Sequence, residues 1–449
     1  MSTDTKIIQD WLKKHQISEV EVLVPDMTGN ARGKFIPAHQ FLTMGKPKLP
    51  ESILVQSVTG EYCEDHWELV EPTDADMLLE PDPSAMRLVP WAREPTAQII
   101  HDCYTMTGEA HPLSCRNVLR KVLDLYAEDG LVPVIAPEVE FYLVARNLDP
   151  DYVLEPPSGR SGRRETSRLS YSIDAVAEFE DFVEDMYDYA EAQELAVDTL
   201  IHENGAAQME INFVHGDAMS LADQVFSFKR TVRETAHKHG VYATFMAKPM
   251  QNDAGSALHI HQSIVRADTG ENIFADAEGR HTEAFLSYIA GLQHYTPELI
   301  SFYAPNVNSY RRLAPDIAAP INVNWGVGNR TTAFRVPESS PAATRVENRF
   351  PGADANPYLA IAATLASGLL GMRRGLQPSA PHQGTANDDE VEVARSLEEA
   401  LRNLGNSPEV REVFGGLFLK AYAAVKRDEF EKFNRVISSW EREHLLLQV

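Results

Sequence analysis

Cysteine is scarce in this chain. There are three in 449 residues, Cys63, Cys103 and Cys115, with no Cys-x-x-Cys pair. An odd, widely spaced set excludes a disulfide framework and a thiolate zinc site. Long hydrophobic runs are also missing. The longest apolar stretch, 359–372, is short, rich in Ala and interrupted by Ser and Gly, which predicts a buried core helix rather than a membrane span. Basic residues are outnumbered: 41 Lys and Arg against 66 Asp and Glu leave a formal charge of −25. That balance excludes nucleic acid and anionic membrane surfaces as partners. The N-terminus is polar and acidic and lacks the pattern of a signal peptide, so a cytoplasmic protein is expected. No Gly-x-x-x-x-Gly-Lys-Ser/Thr loop is present, and the nearest glycine pattern, Gly326-Val327-Gly328-Asn329, is not a dinucleotide fingerprint. If a nucleotide binds, metals and arginines must hold its phosphates.

What is present has the size of two domains. Up to about residue 106 the chain is rich in strands and prolines, with a short amphipathic helix at 5–16, a strand over 19–25 and a turn at Met27-Thr28-Gly29-Asn30. A small β domain over 1–106 is expected. Ser114 then caps a helix running to Gly130, and strands and helices alternate afterwards. The pattern predicts strands over 132–144, 207–214, 241–247, 256–265, 320–326, 331–336 and 342–350. It predicts helices over 174–194, 219–239, 281–297 and 356–373, with a capping box at Ser396 and Glu399. The second domain spans 107–449, and the fold class is α+β. Residues 149–170 and 375–390 read as exposed loops. The first carries Arg160, Arg163, Arg164 and Arg168; they suggest a lid over an anionic ligand, although a solvated loop accounts for them as well.

One device recurs in the predicted strands. Glu138 and Glu140, Glu210 and Asn212, His259 and His261, and Glu347 and Arg349 each stand two residues apart, flanked by apolar residues. Residues i and i+2 of a strand share a face. Each run therefore offers one polar face. Glu138, Glu140, Glu203, Glu210, His259 and Glu347 are five carboxylates and one imidazole, a donor set for Mg²⁺ or Mn²⁺. Six protein donors are too many for one catalytic Mg²⁺ and suffice for two or three ions. Such sites clamp a phosphoryl group during transfer. Arg312, Arg330, Arg335 and Arg349 fall in one segment and match carboxylate or phosphate oxygens as forked donors. The residues alone lead to a divalent-metal phosphoryl-transfer enzyme.

Taken in order, the motifs resemble the glutamine synthetase family over nearly the whole chain. They are Pro-Glu-x-Glu-Phe at 137–141, His-Glu-x₆-Glu-Ile at 202–211, Gly-Ser-x-x-His-x-His-Gln-Ser at 255–263, Asn-Ser-Tyr-Arg-Arg-Leu at 308–313, Asn-Arg-Thr-x-x-x-Arg at 329–335, Arg-Val-Glu-x-Arg-Phe at 345–350 and Ala-Asn-Pro-Tyr-Leu at 355–359. The resemblance implies a small β-grasp-like domain and a catalytic domain with a curved antiparallel sheet flanked by helices. It implies one metal on Glu140, Glu203 and Glu210 and another on Glu138, His259 and Glu347. Arg312 and Arg349 would hold the carboxylates of L-glutamate, with Gly255 on the glutamate loop. Arg330 and Arg335 would hold the transferring phosphoryl group, and His261 and Ser263 would lie by the nucleotide. ATP would be a co-substrate, and the assembly a homo-oligomer of stacked rings, a homododecamer or similar.

Two departures from the ammonia-using members matter. Their Asp-Gly-Ser-Ser run corresponds here to Leu49-Pro50-Glu51-Ser52, and their Glu before the next Ala-Pro corresponds to Ala318. Loss of both acids removes the implied ammonium site. The same stretches resemble the branch that makes γ-glutamylamines, with putrescine or another polyamine as the expected amine. Ammonia, or a monoamine such as methylamine, ethanolamine or an aniline, is the alternative. Asp316, Glu51 and Glu61 are the candidates for deprotonating the amine.

Overall fold

The computed structural model describes residues 3–63, 66–70, 72–166, 168–314, 319–387 and 389–449. The first sheet follows the helix α1 (Thr3–Lys14) and contains β1 (Glu19–Pro25), β2 (Ala31–Pro37), β3 (Lys48–Pro50), β4 (Asp76–Leu88) and β5 (Thr96–Tyr104), with the short helix α2 (Ala38–Phe41) after β2. The strand order is β2-β1-β5-β4-β3, and β1 and β5 run parallel while the other neighbours are antiparallel. This is the expected β-grasp-like arrangement. The β1–β2 turn is built by Asp26, whose Oδ1 accepts from the amides of Thr28 and Asn30, both at 2.9 Å. Gly29 supplies the positive φ of 82° that this turn requires.

After α3 (Cys115–Glu128), capped by Ser114 as expected, come β6 (Leu131–Val144), α4 (Ile173–Ala177), α5 (Glu180–Ala192), β7 (Val197–His202), β8 (Gln208–Phe213), β9 (Gly216–Asp217), α6 (Ala218–Lys238), β10 (Tyr242–Thr244), β11 (Leu258–Arg266) and α7 (Glu283–Tyr303). They are followed by β12 (Trp325–Val327), β13 (Phe334–Val336), β14 (Val346–Asn348), α8 (Pro357–Arg374), α9 (Leu397–Asn403), α10 (Pro408–Phe414), α11 (Gly416–Asn434) and α12 (Ser439–His444). The second sheet has the order β12-β13-β14-β11-β6-β8-β7, with β9 and β10 also paired to β6. Helix α8 is buried along nearly all its length and packs against α7 and α3. No helix is long and apolar enough to cross a membrane among the described residues.

The structure corrects several expectations. The sheet is antiparallel except between β12 and β13, which run parallel. The intervening turn makes this possible: Asn329 Oδ1 accepts from the amide and hydroxyl of Thr331, and Gly328 N donates to Val336 O at 2.9 Å, folding the chain back beside its own start. The expected helix over 174–194 is two helices. At the junction the Arg160 amide takes the Glu178 carbonyl at 2.8 Å, and Phe179 leaves the helical conformation. Helix α7 runs past Pro297 to Tyr303. Burial of Leu299, Ile300, Phe302 and Tyr303 outweighs the hydrogen bond that a proline removes. The strands over 320–350 are three residues each, shorter than expected. Ser396 caps α9 through Glu399 N, but the Glu399 carboxylate turns to Arg395 N, one residue short of a capping box.

One buried cation ties the two sheets together. Arg116 on α3 reaches Asp82 and Asp102 of the first sheet and Asp223 on α6, and Tyr358 of α8 donates to the same Asp223 at 2.7 Å. Such a network holds its geometry because each partner left unpaired in the interior is costly.

Candidate active site

Strand β6 runs through the middle of the site. Its Glu138 stands opposite Asn212 of β8 on one side and His259 of β11 on the other, and its Glu140 stands opposite Glu210. His261 faces Glu347 of β14, which faces Arg335 of β13. Strand alternation therefore gathers side chains from five strands on one face of the sheet. The other face carries Val139, Phe141, Ile211, Leu258 and Ile260, all fully buried, with α3 and α6 packed against β6.

On the polar face Glu138 accepts from His261 Nε2 at 3.0 Å, and its second oxygen lies 3.4 Å from His259 Nδ1. His259 Nδ1 is also 3.6 Å from Glu347 Oε1. Burial would raise Glu138, but the two histidines outweigh it and hold the carboxylate ionised well below the usual range. Burial, then Arg349, lowers His259 to about 4, so the imidazole is neutral at pH 7, the form that ligates metals. Glu347 is fully buried and would also be raised, but Arg349, His261 and His259 bring it to about 2.

Glu140 and Glu210 behave in the opposite way. Burial, then the Glu203 charge, raises Glu140 to about 7. Burial, then Glu138 and Glu140, raises Glu210 to about 10. Glu203 is likewise raised, first by burial. Glu140 Oε2 is held by Ala257 N at 2.8 Å and Gln208 Nε2 at 3.1 Å. Two like charges about 4 Å apart at an effective dielectric of 20 repel by about 4 kcal/mol, a sizeable share of a domain's stability. Either protons or a cation must relieve such a cluster.

Donor atoms of Glu138, His259 and Glu347 lie within 4.8 Å of one another, as do those of Glu140, Glu210 and His259. Oxygen-rich trios with one neutral imidazole fit Mg²⁺ or Mn²⁺. Glu203 is near enough for its charge to raise Glu140 and Glu210, yet it is in neither trio. Its Oε2 faces Asn204 N at 3.2 Å. His259 instead belongs to both trios, which the expected partition into two separate sets did not foresee.

The arginines divide. Arg335 Nη1 and Arg349 Nη1 grip the two oxygens of Glu347 at 2.7 and 2.5 Å, and the buried Nε of each has no hydrogen-bond partner among the described residues. Arg312 is buried and donates to the carbonyls of Phe350 at 2.7 Å and Arg349 at 3.0 Å. Burial lowers it to about 10, and it stays charged. A Cβ on Gly255 would sit 2.8 Å from Arg312 Cγ and 2.8 Å from Ala247 O, so only glycine fits beside this arginine. Arg330 is exposed on the β12–β13 turn, with no hydrogen bond or ion pair to the cluster among the described residues. Ser263 shares the face of His261 and is half-buried.

Two polar residues not singled out from the sequence also join the site. Gln208 bridges Glu140, the Gly255 carbonyl and Ser256 Oγ. Arg345 Nε reaches His261 Nδ1 at 3.3 Å. Each stands two residues before a carboxylate already singled out, Glu210 and Glu347, so the same alternation points to them. Of the amine-side acids, Asp316 and also Ala318 lie outside the described residues. Glu51 Oε2 pairs with His111 Nε2 at 3.1 Å, and Glu61 pairs with Lys432 at 2.7 Å; neither pair includes a residue of the cluster. In the 149–170 loop Arg160 pairs with Glu180, Arg164 with Glu155, and Arg168 donates to Asn252 O at 2.8 Å.

Residues 112–445 match the family model described as the glutamine synthetase catalytic domain. The chain belongs to the glutamine synthetase family. Its catalytic domain makes it an ATP-dependent glutamate–amine ligase. Among curated relatives, it is 33% identical to gamma-glutamylputrescine synthetase of Escherichia coli (strain K12), over 99% of this chain and 95% of that protein. It is 35% identical to glutamate–isopropylamine ligase of a Pseudomonas species, over 97% and 96%. Glutamine synthetase of Pyrococcus abyssi is 32% identical over 92% and 90%. A solved structure of GmaS in complex with ADP superposes with a TM-score of 0.83 at 26% identity, over 99% of this chain and all of that one.

Proposed function

We propose that this enzyme joins the γ-carboxylate of L-glutamate to a primary amine, putrescine or another polyamine, through γ-glutamyl phosphate. The γ-carboxylate oxygen attacks the terminal phosphorus of ATP and ADP departs. The amine nitrogen then attacks the acyl carbon, loses a proton, and inorganic phosphate departs. Arg312 and Arg349 would hold the carboxylates of glutamate, with Gly255 leaving room for Arg312. Arg330 and Arg335 would meet the transferring phosphoryl oxygens, and His261 and Ser263 would lie by the nucleotide. Glu140, Glu203 and Glu210 would hold one Mg²⁺ or Mn²⁺, and Glu138, His259 and Glu347 another. When bound, the cations supply the positive charge that phosphoryl oxygens require. Ring-stacked homo-oligomers belong to the same reading.

The amine half rests on one observation: the small-domain stretch that would need a free carboxylate for ammonium carries Leu49, packed against the core, and Glu51, paired with His111. An alkylammonium has an ordinary pKa near that of lysine, about 10.4, and must be deprotonated before attack. The 35% identity to an isopropylamine ligase supports a second reading, a monoalkylamine as substrate. Phosphate release measured with putrescine, isopropylamine and ammonium separates the three. Putrescine is expected to give the highest kcat/KM; turnover with ammonium equal to or better than with either amine overturns the proposal.

A further inference from the structure

The turn between β7 and β8 carries Glu203 at its start and delivers Glu210 to the sheet. Its backbone is unusual. Ala207 is fully buried and holds a φ of 57°, the left-handed region that an alanine seldom adopts. A Cβ at Gly205 would collide with the Tyr142 hydroxyl. Something must hold this shape, and a side chain from the 149–170 loop does so. Glu165 Oε2 accepts from Ala207 N at 2.8 Å and lies 3.0 Å from His202 Nε2. The His202 ring is wholly buried, and its Nδ1 lies 2.8 Å from the Glu203 carbonyl oxygen. Both ring nitrogens face acceptors, so the imidazole links the Glu165 carboxylate directly to the backbone of Glu203. Ser170 Oγ of the same loop donates to Asn204 Oδ1 at 2.7 Å, and Tyr171 N, the next residue, donates to His202 O at 2.9 Å.

We infer that Glu165 is a positioning residue that sets Glu203 for cation binding through His202 and Ala207. The inference rests on the reading of Glu203 as a cation ligand. A packing role alone does not account for a carboxylate whose side chain is only 10% exposed and whose buried Oε1 has no hydrogen-bond partner among the described residues. An apolar side chain of similar size would fill the space without that desolvation cost. Residues that orient a metal ligand from behind typically change metal affinity 10- to 100-fold when removed.

The test is Mn²⁺ binding to the full-length protein, read from the electron paramagnetic resonance signal of free Mn²⁺, with folding checked by circular dichroism. Glu165→Ala is expected to weaken the binding of one Mn²⁺ by about 10-fold or more. Glu165→Gln keeps an oxygen for Ala207 N and for a proton on His202 Nε2, though a neutral ring cannot also donate to the Glu203 carbonyl; it is expected to lose clearly less affinity than Glu165→Ala, a partial rescue that a charge effect would not give. Should Glu165→Ala fail to fold, Glu165→Asp, whose carboxylate is drawn back by one methylene, carries the same expectation. Glu203→Gln in the same titration separates the two claims. If Glu203→Gln weakens binding while Glu165→Ala does not, this inference falls and the ligand reading stands. If Glu203→Gln binds as the parent does, the ligand reading falls and takes this inference with it. Equal loss in Glu165→Ala and Glu165→Gln also overturns it.

Discussion

Glu140 and Glu210 face each other across β6 and β8, each mostly buried and each pushed toward its protonated form, Glu140 to about 7 and Glu210 to about 10. Their ordinary value in an unfolded chain is 4.5. These two carboxyls therefore bind more protons in the folded chain than in the unfolded one above that value, and their contribution to stability falls as pH rises; His259, lowered to about 4, works in the opposite direction up to its ordinary 6.5. For Glu140 the loss accumulates between about 4.5 and 7 and then levels off; for Glu210 it continues toward about 10. At about 1.4 kcal/mol per pH unit, Glu140 alone contributes on the order of 3 kcal/mol. A cation that replaces the protons reverses this. Relative to Glu210→Gln, the metal-free protein should lose Tm as pH rises from about 5 to 8, and Mg²⁺ or Mn²⁺ should raise Tm more at the upper end. Thermal scans of the two proteins, with and without metal, check both, and a parent that tracks Glu210→Gln across this range would count against a raised Glu210.

Arg335 and Arg349 share the Glu347 carboxylate, which is also close to His259. Arg335→Ala should lower kcat by about 100-fold or more, the usual cost of removing a donor aimed at developing charge. It should leave Mn²⁺ affinity unchanged or tighter, because Glu347 then has one competitor fewer. Steady-state kinetics together with a metal titration check the pair of outcomes, and a loss of metal affinity would count against Glu347 as a ligand.

Gly255→Ala should act through Arg312. The added methyl meets Arg312 Cγ and Ala247 O, so the guanidinium or the loop must shift. Small misplacements of substrate-holding groups cost up to about 100-fold. KM for glutamate should rise by about 10-fold or more, with KM for ATP little changed. Equal changes in both would separate Gly255 from the glutamate side.

Much of the cation cluster was legible because strand alternation is local. Glu138, Glu140, Glu210, His259, His261 and Glu347 follow a two-residue period inside apolar runs, and the sheet register then brings them together. The same rule reaches Gln208 and Arg345. What was not legible depends on distant parts of the chain. β7 was missed because its pairing with β8 shifts register between Val197 and Thr199, which breaks the alternation. Helix α7 passes Pro297 because the core rewards its last turn. Glu165 meets His202 across 37 residues, and Arg116 meets Asp223 across 107, with no spacing to announce either.

The central claim, that this glutamine synthetase family member transfers glutamate to an alkylamine rather than to ammonia, is met most directly by competition. Putrescine, isopropylamine and ammonium are supplied together at equal concentration with glutamate, ATP and Mg²⁺, and the products are identified by mass spectrometry. A γ-glutamylalkylamine is expected as the main product, γ-glutamylputrescine ahead of the isopropyl amide, with glutamine a minor species. Glutamine as the main product would contradict it.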